Sequence, residues 1–248
     1  MKAVILAAGE GTRLRPFTMS RPKSMIPVGN RPILEYIVEA LVSNGVKDII
    51  MVVGYRKDTI MLHFQDGKRF GASIEYVVQD KPLGTAHALA LAGPLLDGKP
   101  FITVAGDNMI DSRLIADLLE KRNGLTMVVA ESDNPSKYGV VEIEGDRIVG
   151  LVEKPECMIG NIINTGIYHF PYQMIEMFMS QTFGKELGIT QLLSKAIPEM
   201  DMRVVKSKGQ WNDAVYPWDL VNVNAQALDD ISQGIMGTVE PGVTLKGP

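Results

Sequence analysis

A chain of 248 residues with 46% hydrophobic and 22% charged side chains has the size of one large globular domain, or of one domain with a fragment of another. Its formal net charge of −4 argues against a general nucleic-acid coat, which needs a basic surface, but is compatible with a local cationic pocket. The lone Cys157 excludes an intrachain disulfide and a cysteine cluster for zinc and fits a reducing cytosol; no apolar run reads as a signal peptide or a membrane span.

In chain order, Ala3 to Leu6 is an apolar run suited to a buried parallel strand. It stops at Ala7-Ala8-Gly9, and Gly11, Thr12, Arg13 and then Lys23 follow. Small residues at a strand's carboxyl end let a polyanion approach backbone N–H groups, and two nearby cations neutralise phosphate charge. A phosphate-handling loop is the expectation; the plainer alternative is a strand-to-loop turn with incidental charges. A Walker loop is excluded because Gly11 is followed by Thr12-Arg13 rather than Lys and Ser or Thr. A nicotinamide-binding GxGxxG loop is disfavoured, since its third glycine would fall on Leu14 and Pro16 would interrupt the following helix.

Ile33, Leu34, Ile37, Val38, Leu41 and Val42 recur at helical spacing, with Pro32 suited to the first turn and Gly45 to the stop. Asp48 to Val53 reads as a strand, Asp58 to Phe64 as a short helix and Ser73 to Val78 as a strand. Leu83 to Leu96 is helical, Phe101 to Ala105 a strand, Ser112 to Arg122 a helix with Ser112 as the expected cap, and Leu125 to Ala130 a strand. This alternation predicts an α/β fold, Rossmann-like, with a mixed but mainly parallel sheet flanked by helices and ligands at the carboxyl ends of its strands.

After residue 130 the elements shorten. Gly139 to Glu144, Arg147 to Glu153 and Ile162 to Phe170 are extended runs, the first two joined by a turn at Gly145-Asp146. They predict a mixed or antiparallel section beside the parallel one. Helices are expected near Tyr172–Met179 and Thr190–Ile197, and a strand over Met202 to Lys206. A last helix over Pro217 to Ile231 would have Leu220, Val223, Ala227 and Ile231 on one face. Val239, Val243 and Leu245 among glycines and prolines resemble the first coil of a hexapeptide-repeat, left-handed β-helix, which cannot bury its own face alone. The expected division is a domain over 1–232 and, over 233–248, a linker with the start of a truncated β-helix.

Three further stretches fall in loops after strands. Gln79 to Ala86 enters a helix through Gly84, and the Gln79 amide has both donor and acceptor for an edge of uracil or thymine. Asp107 ends an apolar strand where a Mg²⁺ ligand would sit, and Asp213 is a second isolated acid in a polar break; a turn or cap role is the alternative for Asp107. Glu153-Lys154 closes another strand and suits a sugar hydroxyl and a phosphate, or else is a solvated charge pair. Tyr138-Gly139 and Asn164 supply amides for sugar hydroxyls. The histidines at 63, 87 and 169 make no metal spacing, and no GxSxG elbow is present.

LAAGEGTRLRP…PKSMIPVGNRPIL, QDKPLGTAHA, GDNM, YGVV, EKP and NTGIY stand in the order that resembles sugar-1-phosphate nucleotidylyltransferases, over residues 2 to about 231. That resemblance implies transfer of a nucleotidyl group from dTTP or UTP to glucose- or N-acetylglucosamine-1-phosphate, in a cytoplasmic enzyme using Mg²⁺, with no nucleic-acid or membrane partner and with a homo-oligomer left open. It implies that Leu6, Ala8, Gly9, Gly11 and Thr12 wrap the triphosphate, that Arg13 and Lys23 are its catalytic cations, that Gln79 and Gly84 read the base, and that Thr85 belongs to the nucleotide-binding set. It implies further that Asp107 and Asp213 hold the metal, Gly139, Glu153 and Asn164 contact sugar hydroxyls, and Lys154 contacts the sugar phosphate. The segment around Asp213 departs from that of several subfamilies. A non-catalytic subunit that senses the nucleotide sugar on the same scaffold is the alternative.

Overall fold

In the computed structural model, which describes residues 1–229 and 239–244, the first half alternates strand and helix. Its elements are β1 (Lys2–Ala7), the two-residue pair β2 (Pro27–Val28) and β3 (Arg31–Pro32), α1 (Ile33–Ser43), β4 (Asp48–Val53), α2 (Lys57–Phe64), β5 (Ser73–Val78), α3 (Thr85–Ala92), β6 (Phe101–Ala105), β7 (Asn108–Ile110), α4 (Ser112–Lys121) and β8 (Leu125–Glu131). The second half holds β9 (Gly139–Glu144), β10 (Arg147–Glu153), β11 (Ile162–Phe170), α5 (Met174–Met179), α6 (Ile189–Ala196), β12 (Met202–Lys206), β13 (Trp211–Asp213) and α7 (Asp219–Asp229).

Nine strands form one sheet in the order β5-β4-β1-β6-β11-β8-β12-β10-β9. β5, β4, β1 and β6 run parallel, as expected for strands joined by helical crossovers. β11 inserts antiparallel between β6 and β8, so the parallel series is interrupted before its last predicted strand. β8 then pairs in parallel with β12, and β10 and β9 continue antiparallel. Both faces of the sheet are covered. Ala3, Ile5 and Ala7 of β1 pack with residues of α1, α2 and α4, while Val4 faces residues of α3, α5 and α6. That period-two split explains why the strand reads as a continuous apolar run.

Several expected boundaries move. The cap of α4 is Asp111, not Ser112: its carboxylate accepts from the N–H groups of Arg113 at 2.8 Å and Leu114 at 3.3 Å. The Ala-rich helix is only Thr85–Ala92, because Gly93-Pro94 tightens it into a short 3-10 turn. Pro32 stands outside α1 in β3, and Pro217 precedes α7 rather than opening it. Leu220, Val223 and Ala227 do share the inward side of α7, packed in a satellite core; Ile231 lies outside the described residues. Of the expected β-helix start, Val239 precedes and Val243 closes a turn in which Val243 N–H donates to the Glu240 carbonyl, neither is in a strand, and Leu245 lies outside the described residues.

The ribbon of β7 and β13 is absent from the sequence reading. Asp213 pairs with Asn108 in it, directly beside Asp107. Two acids 106 positions apart in the chain (213 − 107) are thereby brought to one end of the sheet.

Candidate active site

At the end of β1 the chain turns through Gly9 and Gly11 into a 3-10 turn, Thr12–Leu14. Gly11 has φ 69°, and a Cβ there would stand 2.8 Å from Lys23 Cβ, so only glycine lets the Lys23 segment lie against the loop. The Thr18 hydroxyl donates to the Gly11 carbonyl at 2.9 Å. Leu14, where a dinucleotide loop would have its third glycine, is 1% exposed and packs with Ile26, Val28, Met109 and Ala214. It anchors the turn and leaves Arg13 exposed beside the cleft.

Lys23 is buried, and its ammonium donates to Asp107 Oδ2 at 2.7 Å and to Asp213 Oδ1 at 2.5 Å. Burial alone would lower the Lys23 pKa, but the two carboxylates outweigh it and raise it, so the lysine stays charged. Burial likewise pushes the Asp213 carboxyl up to about 6, opposed by Lys23 and reinforced by Asp107. Gly106 permits the turn that delivers Asp107: a Cβ there would meet the Leu6 carbonyl oxygen at 2.8 Å. Tyr138 stands edge-on to Trp211 at 5.3 Å between ring centres, and burial, with Asp213 nearby, pushes its hydroxyl up to about 12.

The loop from Gln79 to Thr85 forms one end of the cleft. Gln79 Nε2 donates to the Gly84 carbonyl at 3.0 Å and lies 2.9 Å from His87 Nδ1. Gly84 has φ 90°, and a Cβ there would overlap the backbone of Leu187, whose nitrogen would be 2.6 Å away. Its small size therefore serves packing of the 187–189 segment. One N–H at this helix start is taken within the protein: Ala86 N–H donates to the Leu187 carbonyl at 3.0 Å. The Thr85 hydroxyl accepts from Ile189 N–H at 2.9 Å.

At the other end, Glu153 closes β10 and the exposed Lys154 follows it, with their charged groups 3.4 Å apart. Gly139 leaves room for Glu153 and Thr190, whose nearest atoms would meet its Cβ at 3.2 Å and 2.9 Å. Asn164 is more occupied than its sequence context implies. Its amide nitrogen donates to the Tyr168 hydroxyl at 2.5 Å and the Thr190 hydroxyl at 3.3 Å, and its Oδ1 accepts from Gly166 N–H at 2.9 Å. One lone pair of Oδ1 is what remains for a ligand.

These parts line a single cleft of about 690 Å³. Leu6, Ala8, Gly9, Arg13, Gln79, Gly84, Thr85, Asp107, Gly139, Glu153, Lys154, Asn164 and Asp213 all contribute to its wall. Gly11, Thr12 and Lys23 do not: Gly11 and Thr12 lie in the turn beside it, and Lys23 lies beneath the two aspartates. Sequence reasoning missed Tyr168, Thr190 and Lys137 in the wall and His87 behind it. The strand assignment of Tyr168 and the QDKPLGTAHA motif containing His87 were visible; which face each side chain takes was not.

Two carboxylates, one from the turn between β6 and β7 and one from β13, are hard oxygen donors of the kind Mg²⁺ accepts, and Asp107 is half-exposed towards the cleft. Among the described residues no three His, Cys, Asp or Glu side chains gather into a metal cage. The donor set thus fits a cation that completes its shell with water and substrate oxygens, and does not form a closed all-protein site.

The sequence pattern of the nucleotidyl transferase family matches residues 2–230, and the chain belongs to that family. It is 37% identical to the bifunctional protein GlmU of Methanococcus maripaludis over 253 aligned positions, which cover 100% of this chain and 59% of that one. It is 33% identical to a glucose-1-phosphate thymidylyltransferase of Streptomyces antibioticus, covering 100% of this chain and 72% of that protein. A crystal structure assigned as a glucose-1-phosphate thymidylyltransferase of Bacillus anthracis, in complex with sucrose, superposes with TM-score 0.84 at 27% identity, over 95% of this chain and 98% of that one. The chain spans about three-fifths of the length of the GlmU relatives it matches. Among the described residues no helix is long and apolar enough to cross a membrane.

Proposed function

We propose that the cleft transfers a nucleotidyl group from UTP or dTTP to a sugar 1-phosphate, releasing pyrophosphate. The observation that carries this reading is that one continuous cleft joins the loop after β1, the Gln79 end and the Glu153–Lys154 end, with Asp107 and Asp213 between them. The family supports the reaction class, and the name of the glucose-1-phosphate thymidylyltransferase relative supports glucose-1-phosphate as an acceptor; N-acetylglucosamine-1-phosphate rests on the motif resemblance.

The chemistry joins two anions: a sugar-phosphate oxygen attacks the α-phosphorus of the triphosphate, and the bond to pyrophosphate breaks. Catalysis then consists mainly of alignment and charge neutralisation, with no protein nucleophile. Leu6, Ala8 and Gly9 present backbone to the triphosphate, Gly11 and Thr12 shape the turn, and Arg13 offsets charge collecting on pyrophosphate. Gln79 reads the base through its carbonyl, while Gly84 and Thr85 hold the wall that frames it. Glu153 accepts sugar hydroxyls from its place on Gly139, Lys154 meets the sugar phosphate, and Asn164 offers its remaining lone pair. Asp107 and Asp213 would hold Mg²⁺, which when bound polarises the reacting phosphate. Lys23 fixes both carboxylates and balances their charge.

The same reading places the activity in residues 1–232 of a cytoplasmic protein and gives 233–248 to a linker entering a left-handed β-helix, supported by the spacing of Val239, Val243 and Leu245. Pyrophosphate release from UTP and dTTP with each acceptor tests the reaction. Binding of nucleotide sugar without any release would favour the sensing-subunit alternative instead.

A further inference from the structure

We propose that His87 is a positioning residue for base selection, fixing the Gln79 amide so that only its carbonyl oxygen is offered to the cleft. The inference rests on the reading of the Gln79 end as the base site.

A primary amide has two N–H donors at one end and a carbonyl acceptor at the other. The Gly84 carbonyl can only accept, so the Gln79 atom 3.0 Å from it is the nitrogen. That same nitrogen lies 2.9 Å from His87 Nδ1, which must then present its lone pair, leaving the imidazole proton on Nε2. Both N–H groups are thus used inside the protein. Oε1 takes no hydrogen bond among the described residues and is not sealed away, although Gln79 is only 7% exposed. The His87 ring packs against Phe183, with ring centres 4.8 Å apart, and does not line the cleft; its influence runs through Gln79.

An acceptor held in a nearly buried wall selects a base that brings a donor. Uracil and thymine carry N3–H, whereas cytosine carries a lone pair at N3, which would face the Gln79 lone pairs. Gly84 alone leaves one amide N–H unanchored, so the amide can turn and present a donor to cytosine. His87 removes that freedom.

The test is equilibrium binding of UTP and CTP to the full chain with Mg²⁺ present. The native chain is expected to favour UTP, and His87→Leu to reduce the UTP:CTP affinity ratio on the order of tenfold, the worth of one buried hydrogen bond, with affinity for inorganic tripolyphosphate unchanged. His87→Asn, whose Oδ1 can stand in for Nδ1 as acceptor, is expected to keep most of the preference. An unchanged ratio in His87→Leu, or its equal loss in His87→Asn, overturns the inference while the native preference for UTP leaves the base site intact. A native chain with no preference for UTP overturns the base-site reading itself. Nitrogen-15 spectra of the unmutated protein supply a check that needs no variant: the Nε2–H tautomer of His87 is expected, and the Nδ1–H tautomer contradicts the assignment.

Discussion

Removing the Lys23 ammonium would leave Asp107 and Asp213 converging without a counter-charge. Breaking a buried pair in this way costs about 3–5 kcal/mol. Lys23→Met is therefore expected to lower the melting temperature, and added Mg²⁺ to raise it more in the variant than in the native chain. Equal responses to Mg²⁺ in both would argue that the aspartates are not the cation's ligands. Asp213 adds a pH dependence. Its carboxyl is raised from 3.8 to about 6, so the folded chain holds this proton more tightly than the unfolded chain does. Its contribution to stability is full below the unfolded value and declines as pH rises between those values. A divalent cation needs the ionised form, so Mn²⁺ affinity is expected to be about tenfold weaker near pH 5 than near pH 7.5. An affinity flat across that range would contradict the assignment. Lys23 and Asp107 were nameable from their motifs, and Asp213 only as an isolated acid in a polar break whose segment departs from that of several subfamilies. The contact among the three was not legible, because sequence carries no sign of which distant strands pair.

Among elements, the loop into α3 depends on Gly84, whose φ of 90° and contact with the Leu187 backbone admit no side chain. Gly84→Ala is expected to cost about 2–4 kcal/mol in denaturant unfolding, combining backbone strain with a backbone clash. A loss below about 0.5 kcal/mol would show that the 187–189 segment yields freely. Helix α4 is started by Asp111, and Asp111→Ala is expected to cost about 1 kcal/mol where Ser112→Ala costs little. The same melts distinguish the two caps. The sequence suggested Ser112 because serine is a favoured cap residue; Asp111 accepts from Gln210 N–H as well, a tertiary bond at 2.8 Å that no local pattern encodes. The strands of the parallel half were legible to within a residue or so: burial on both faces makes β1, β4 and β6 nearly continuous apolar runs, while the edge strand β5 exposes Ser73 and Glu75. β7 and β13 are three residues each, too short to display a period.

At the scale of the molecule, the antiparallel β11 makes one sheet of what would otherwise be two halves. It pairs with β6 on one side and β8 on the other, so it carries Asn164 alongside the strand that leads to Asp107. The two-substrate cleft is thus a consequence of sheet order: the loop of β1 and the turn after β6 lie near the middle, with Gln79 towards one side and Glu153 towards the other. The α/β class was visible from the alternation of elements. The insertion of β11 was not, since a strand buried on both faces reads alike in either direction. The most direct test of the account is pyrophosphate release from UTP or dTTP with glucose- or N-acetylglucosamine-1-phosphate, in the native chain and in Asp107→Ala. The native chain is expected to turn over at least one such pair in the presence of Mg²⁺, and Asp107→Ala to lose on the order of a hundred- to thousandfold in rate while keeping a native melting transition. Near-native turnover in that variant, or no turnover of any pair by the native chain, would contradict the account.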